Sequence, residues 1–354
     1  MQSWQTFLQQ QGAIGFDPAT GNIANFGQSG PTESSGSPPA TDFMTPLCDA
    51  GLIVASGADV ATFLHNQLTN DVEHLTQDQA RLAGYCTPKG RLLATFLIWR
   101  SGDHINLHLP RALQSTIRKR LQMFVLRAKA VLADAGDETV QLGLAGPAAT
   151  AVLANWFPAM PAGPYATVQS DAGTLIRLAD GADSLARYLW VSNADTLMSA
   201  WPRLLQTLEP TGSDAWRLAR IRAGIPLITE ATQEKFVPQM VNFELIGGVN
   251  FRKGCYPGQE IVARSQYLGK LKRRMMQASV EAAGITAGIE VFSSADPEQA
   301  CGMIVEAAPT SAHSCACLVE VKLVALEASV HLGSAQGPQL IFGTLPYSLA
   351  DSIQ

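Results

Sequence analysis

The chain has 354 residues, 47% of them hydrophobic and 16% charged, a length for two or three domains and a composition that excludes wholesale disorder. Its formal net charge of -5 argues against a general nucleic-acid binder, which normally carries a basic domain or stripe. Met1-Gln2-Ser3-Trp4 opens no basic-then-apolar leader and no apolar run reaches membrane-spanning length, so a soluble cytoplasmic protein is expected, with six scattered cysteines held reduced.

In chain order, Ser3 is positioned to cap a short helix with Trp4, Phe7 and Leu8 on one face and Gly12 closing it. From Gly27 to Pro46, 14 of 20 residues are Gly, Ser, Pro or Thr, which predicts a mobile linker. Leu52–Ala55 reads as a strand, followed by a Gly57-Ala58-Asp59 turn and a helix capped by Asp59 with Val60, Phe63, Leu64 and Leu68 on one side. Tyr85-Cys86, the turn Thr87-Pro88-Lys89-Gly90 and the apolar run Leu92–Trp99 read as a hairpin. His104, Asn106 and His108 alternate with apolar residues, which places both histidines on a solvated strand face. Leu113, Ile117, Leu121 and Phe124 mark an amphipathic helix inside a segment, Arg111–Lys129, that holds six cations and no acid.

From Leu142 the order strand, helix, strand, strand, helix is most of a split βαβ pattern and predicts a ferredoxin-like domain. A helix capped by Ser213 and stopped by Gly224 and Pro226 follows, then an irregular stretch to Glu260. Beyond Arg274, short apolar runs separated by Gly, Pro and Ser predict a small β-barrel. His313, Cys315 and Cys317 at spacing two read as one face of a strand rather than a metal site.

The densest chemistry is Lys253-Gly254-Cys255-Tyr256-Pro257-Gly258-Gln259-Glu260, where Arg252 and Lys253 would favour a thiolate at Cys255. The segment Arg252–Arg274 carries seven cations against Glu260 alone. Cys255 is open to three roles: nucleophile, metal ligand or redox-sensitive thiol. No histidine lies near it in sequence to activate it.

These residues, with Trp216 to Pro226, Phe236-Val237-Pro238-Gln239, Asn242, Val262-Ala263-Arg264, Gln67 to Val72 and Leu345 to Leu349, resemble the folate-binding YgfZ family, which includes a mitochondrial iron-sulfur assembly factor. The resemblance spans nearly everything after the linker. One departure is His65-Asn66, where the family tends to Gln-Gly. The resemblance implies an α+β fold of three domains in a ring, of the glycine-cleavage aminomethyltransferase type. The segments would be a helix and flexible linker (1–46), a folate-binding first domain (47–140 with 210–274), a ferredoxin-like domain (141–209) and a C-terminal β-barrel (275–354).

It further implies an accessory protein for iron-sulfur assembly or repair that binds tetrahydrofolate or a derivative and supports [4Fe-4S] and radical-SAM tRNA-modifying enzymes. Cys255 and Lys253 would carry the chemistry. Trp216 would stack on the ligand, Arg220, Arg222 and Arg264 would meet its carboxylates, and Asn70, Asp71, Gln239, Gln259 and Glu260 are candidate polar partners. Implied partners are a reduced folate and iron-sulfur carrier or client proteins, with no direct nucleic-acid binding and no membrane. The alternative is a folate-dependent aminomethyl transferase, against which Gly90–Phe96 offers no carboxylate where that related enzyme uses an aspartate.

Overall fold

The structure is a computed structural model and describes residues 3–27, 41–136, 139–181, 184–267 and 271–349. Helix α1 (Trp4–Gln10) begins where the Ser3 hydroxyl accepts the Thr6 amide at 3.2 Å. Trp4 and Phe7 meet Trp201 edge-on, with ring centroids 5.9 and 5.7 Å apart. Residues 28–40 of the expected linker lie outside the described residues. Its end corrects the expectation: Phe43–Pro46 is a fully buried strand paired antiparallel with Leu142–Ala145. Composition marked Thr45 and Pro46 as loop formers, but Phe43 and Met44 supply the apolar surface and Pro46 sits at the strand's end.

A five-stranded antiparallel sheet follows, with spatial order 80–86, 92–101, 104–110, 50–56, 131–134. Two helices cover one face of it: α2 (Val60–His65), which buries Val60, Phe63 and Leu64, and α3 (Arg111–Gln122), which buries Leu113, Ile117 and Leu121. Two details differ from the sequence reading. Asp59 makes no cap bond and accepts the Lys129 amide at 2.7 Å instead. Phe124 falls beyond the last turn of α3 and is 48% exposed.

The second sheet runs 167–170, 173–177, 187–193, 139–145, 43–46, 209–210. Its helices are α4 (Pro147–Leu153) and α5 (Ala194–Leu204). The four strands 173–177, 187–193, 139–145 and 43–46 stand in ferredoxin-like order. The strand from the upstream segment is inserted beside 139–145 and displaces the short strand that follows α5 one place outward.

Helix α6 (Ser213–Arg222) lies at the junction of the three larger sheets: its Trp216, Leu218, Ala219 and Ile221 share one core with Leu82 and Leu97, with Leu189 and Val191, and with Val305 and Leu318. A strap of turns then leads to α7 (Gln259–Tyr267). The C-terminal sheet has six strands, 330–332, 290–293, 296–309, 315–322, 273–280 and 340–342, and its edge strands approach through the Leu332 amide and the Pro338 carbonyl at 2.9 Å, so the barrel nearly closes. Cys315 and Cys317 are buried in it, while His313 is exposed in a turn. No helix among the described residues is long and apolar enough to cross a membrane.

Candidate functional site: an aromatic–cationic slot and an exposed thiol loop

Where the first sheet, the second sheet and α6 meet, they leave a narrow slot of about 70 Å³. Trp216 forms one wall and is held from both sides. A Cβ at Gly143 would lie 2.6 Å from its ring, so only glycine permits the contact. The Arg187 guanidinium stands 5.8 Å from the ring centroid, within cation–π range. Arg187 donates to the Ala179 carbonyl, and among the described residues no carboxylate pairs with it. Burial pulls its pKa down to about 10, which leaves it charged at neutral pH.

Tyr165, Phe243, Leu97 and Ile225 add apolar and aromatic surface. Arg220 also lines the slot, but a bidentate pair with buried Glu306 already occupies one edge of its guanidinium. Burial works against its charge, and Glu306 outweighs that and raises its pKa. His108 corrects the solvated-face reading: its strand turns it into the slot, where Nδ1 meets Gln141 Oε1 at 2.6 Å and burial lowers its pKa to about 4. None of the slot's lining residues among the described residues is a carboxylate. A larger, more polar cavity of about 560 Å³, lined by Trp4, Cys48, Arg111, Gln114 and Asp134, lies behind Leu47 and Gln141.

The thiol loop sits apart from the slot. Cys255 is exposed, and the loop is pinned at three points. Lys253 Nζ donates to the carbonyls of His65 and Leu68, the open end of α2, and lies 4.8 Å over the Tyr256 ring. Tyr256 is buried. Gly258, at φ +83°, presses on the hairpin turn so closely that a Cβ would meet the Thr87 carbonyl oxygen at 2.4 Å. This explains a glycine there, and it leaves the thiol outside. Burial lowers the Lys253 pKa to about 8, against the opposing pull of Asp71, Cys255 and Glu73.

The strap links the two regions. Asn70 donates to the carbonyls of Leu82 and Gly247, both at 2.7 Å, and Thr69 donates to that of Gly248 at 2.6 Å. Leu82 and Phe243 line the slot, and Gly248 packs flat on the Phe243 ring. One layer of loop therefore separates the Lys253 anchor from the slot wall.

The expected site residues thus divide. Trp216 and Arg220 line the slot. Arg222 is half-buried in the last turn of α6 and is not among the lining residues. Asn70 is spent on internal hydrogen bonds and also accepts the Asp71 amide. Asp71 is bonded to His65 and His74 beside the thiol loop; burial raises its pKa, but the bonds to His74 prevail and lower it. Gln239 is buried under α7, donates to the Val262 carbonyl, and leaves Oε1 without a partner among the described residues. Gln259 and Glu260 begin α7 and Arg264 is exposed on it, all outside the slot. Sequence reasoning missed Arg187, Tyr165, His108 and His65. Only His65 left a signal, as the one departure from the family pattern.

No family model matches the chain. Two relatives from Escherichia coli, strains IAI39 and SMS-3-5, each called tRNA-modifying protein YgfZ, are 34% identical over 229 residues, covering 65% of this chain and 69% of theirs. Among solved structures, the glycine cleavage system aminomethyltransferase T from Bartonella henselae superposes with a TM-score of 0.77 over 98% of this chain and 96% of its own. At 16% identity that similarity shows the fold, a three-part aminomethyltransferase architecture.

Proposed function

Because the chain belongs to the YgfZ family of tRNA-modifying proteins, we propose that it is a tetrahydrofolate-binding accessory protein for iron-sulfur cluster assembly or repair. In this reading the ligand enters the slot and Cys255 works at the surface, in support of [4Fe-4S] and radical-SAM tRNA-modifying enzymes in the cytoplasm. The observation that carries the folate part is the pairing of Trp216 with Arg187 in a slot that no carboxylate lines among the described residues. A reduced folate brings a ring system and an anionic glutamate tail, which an aromatic wall and a guanidinium with no carboxylate partner among the described residues receive. The slot is narrow, so binding would part its walls and change the surroundings of Trp216. Arg220 serves mainly as a fixed positive edge, since Glu306 holds it.

Among the described residues no carboxylate lines the slot, which favours this reading over aminomethyl transfer, whose developing charge on nitrogen would meet no counter-charge from them. The test has two arms. Titration of the anaerobic protein with tetrahydrofolate should quench Trp fluorescence, and Trp216→Phe should remove most of that signal. A deletion strain should regain activity of its cluster-dependent enzymes with the wild-type gene and not with Cys255→Ser. Full rescue by the serine variant overturns the thiol's role.

A further inference from the structure

His65 is buried at the end of α2, and its two ring nitrogens face different neighbours. Nδ1 lies 3.1 Å from Asp71 Oδ1 and 3.9 Å from Glu73 Oε2, whereas the amides of Val72 and Glu73 are at 3.4 and 3.5 Å. The short contact is to a carboxylate, so Nδ1 carries the proton and donates it to Asp71. That tautomer leaves the lone pair on Nε2. Nε2 faces Gly254, where it is the nearest atom to a would-be Cβ, at 3.5 Å. Gly254 is the residue before Cys255, has no side chain to screen the ring, and belongs to the same exposed turn.

We propose that His65, oriented by Asp71, is the proton acceptor for Cys255, so that the thiol of this chain works as a thiolate–imidazolium pair. The proton leaves sulfur for Nε2, the sulfur keeps the electron pair, and Asp71 balances the imidazolium. The charged groups around the ring divide by sign. Asp71 and Glu73 favour the imidazolium. Lys253, bonded to the His65 carbonyl, opposes it while favouring the thiolate beside it. His74 and Arg81 act through Asp71, at 2.8 and 3.7 Å from its Oδ2. His65 is a positioning residue for the thiol, and its chemistry is available to any electrophile or thiol-exchange partner at this surface.

The proposal rests on Cys255 being the working thiol, and its test reads the thiol alone. Full-length protein is alkylated with iodoacetamide from pH 5 to 9, and the Cys255 peptide is followed by mass, so the other five cysteines, half-buried Cys48 among them, do not enter. Carbon–sulfur bond formation expels iodide, and the rate tracks the thiolate fraction. His65→Gln should slow the reaction at neutral pH by about ten-fold, because the thiolate fraction falls when its proton acceptor is removed. Asp71→Asn should slow it by less. Profiles of both variants that superimpose on wild type, with thermal unfolding unchanged, overturn the proposal, as does a shift seen only with Lys253→Met. Either result leaves the folate and complementation tests standing, and those can fail with this profile intact.

Discussion

At the scale of single residues, the groups that define the site are the ones whose surroundings are assembled from distant segments. His108 shows the physics. Its folded pKa of about 4 lies below the ordinary value of 6.5, so between these limits the unfolded chain binds a proton that the folded chain does not. Stability contributed by the neutral ring is therefore complete above pH 6.5 and falls as pH drops toward 4, by up to about 3 kcal/mol. Urea unfolding followed from pH 7 to pH 4 should show this loss, and His108→Gln should flatten that part of the curve. Lys253 obeys the same sign at the other end of the scale. With a folded value near 8 and an ordinary value of 10.5, its burial costs stability below pH 8, and the cost is relieved as pH rises to 10.5. The stability difference between wild type and Lys253→Met should move in favour of wild type across that window. Cys255 and Lys253 could be picked out in the sequence because their chemistry is packed into one short motif. Arg187 and His108 could not, because the groups that orient them, Trp216 and Gln141, come from other elements.

Between elements, the decisive contacts are buried and polar, and periodicity cannot register them. The strand and helix order of the second sheet was legible because apolar alternation and caps are local signals. Its fourth position was not, since nothing in Phe43–Pro46 names Leu142–Ala145 as the neighbour. The same holds for Glu244 and Arg274, a fully buried pair that ties the strap to the first strand of the barrel. Burial raises the Glu244 pKa, and Arg274 opposes it. Breaking such a pair leaves an uncompensated charge, so Arg274→Met should cost about 3–5 kcal/mol, and adding Glu244→Leu should recover much of it. Thermal unfolding of the two variants checks the sign of the second step. Gly143 offers a test that joins packing to function. Alanine there would press into the Trp216 ring, so Gly143→Ala should weaken the proposed folate response in fluorescence titration while leaving Cys255 alkylation unchanged.

Over the whole molecule, the upstream segment decides how the parts hold together. Phe43–Pro46 stands between Leu142–Ala145 and Glu209–Pro210, and the Thr45 hydroxyl bonds that of Thr211 at 2.6 Å. Phe43 enters the core that contains Trp216, whereas Met44 enters the core that contains Trp190 and Trp201. One four-residue strand thus serves both faces of its sheet. A chain beginning at residue 47 would lose the strand, expose the edge of Leu142–Ala145 and empty two cores, so cooperative unfolding should disappear and the slot with it. A chain beginning at residue 41 would keep the strand and lose, among the described residues, α1 and the paired strands Ala13–Ile14 and Asn25–Phe26. Trp201 would then be stripped of Trp4, Phe7 and Phe26. That truncation should unfold cooperatively at a lower temperature and still respond to tetrahydrofolate. Calorimetry of the two truncations separates a strand integral to the fold from a helix that covers it. Equal behaviour of the two would mean that the strand adds nothing beyond the cover.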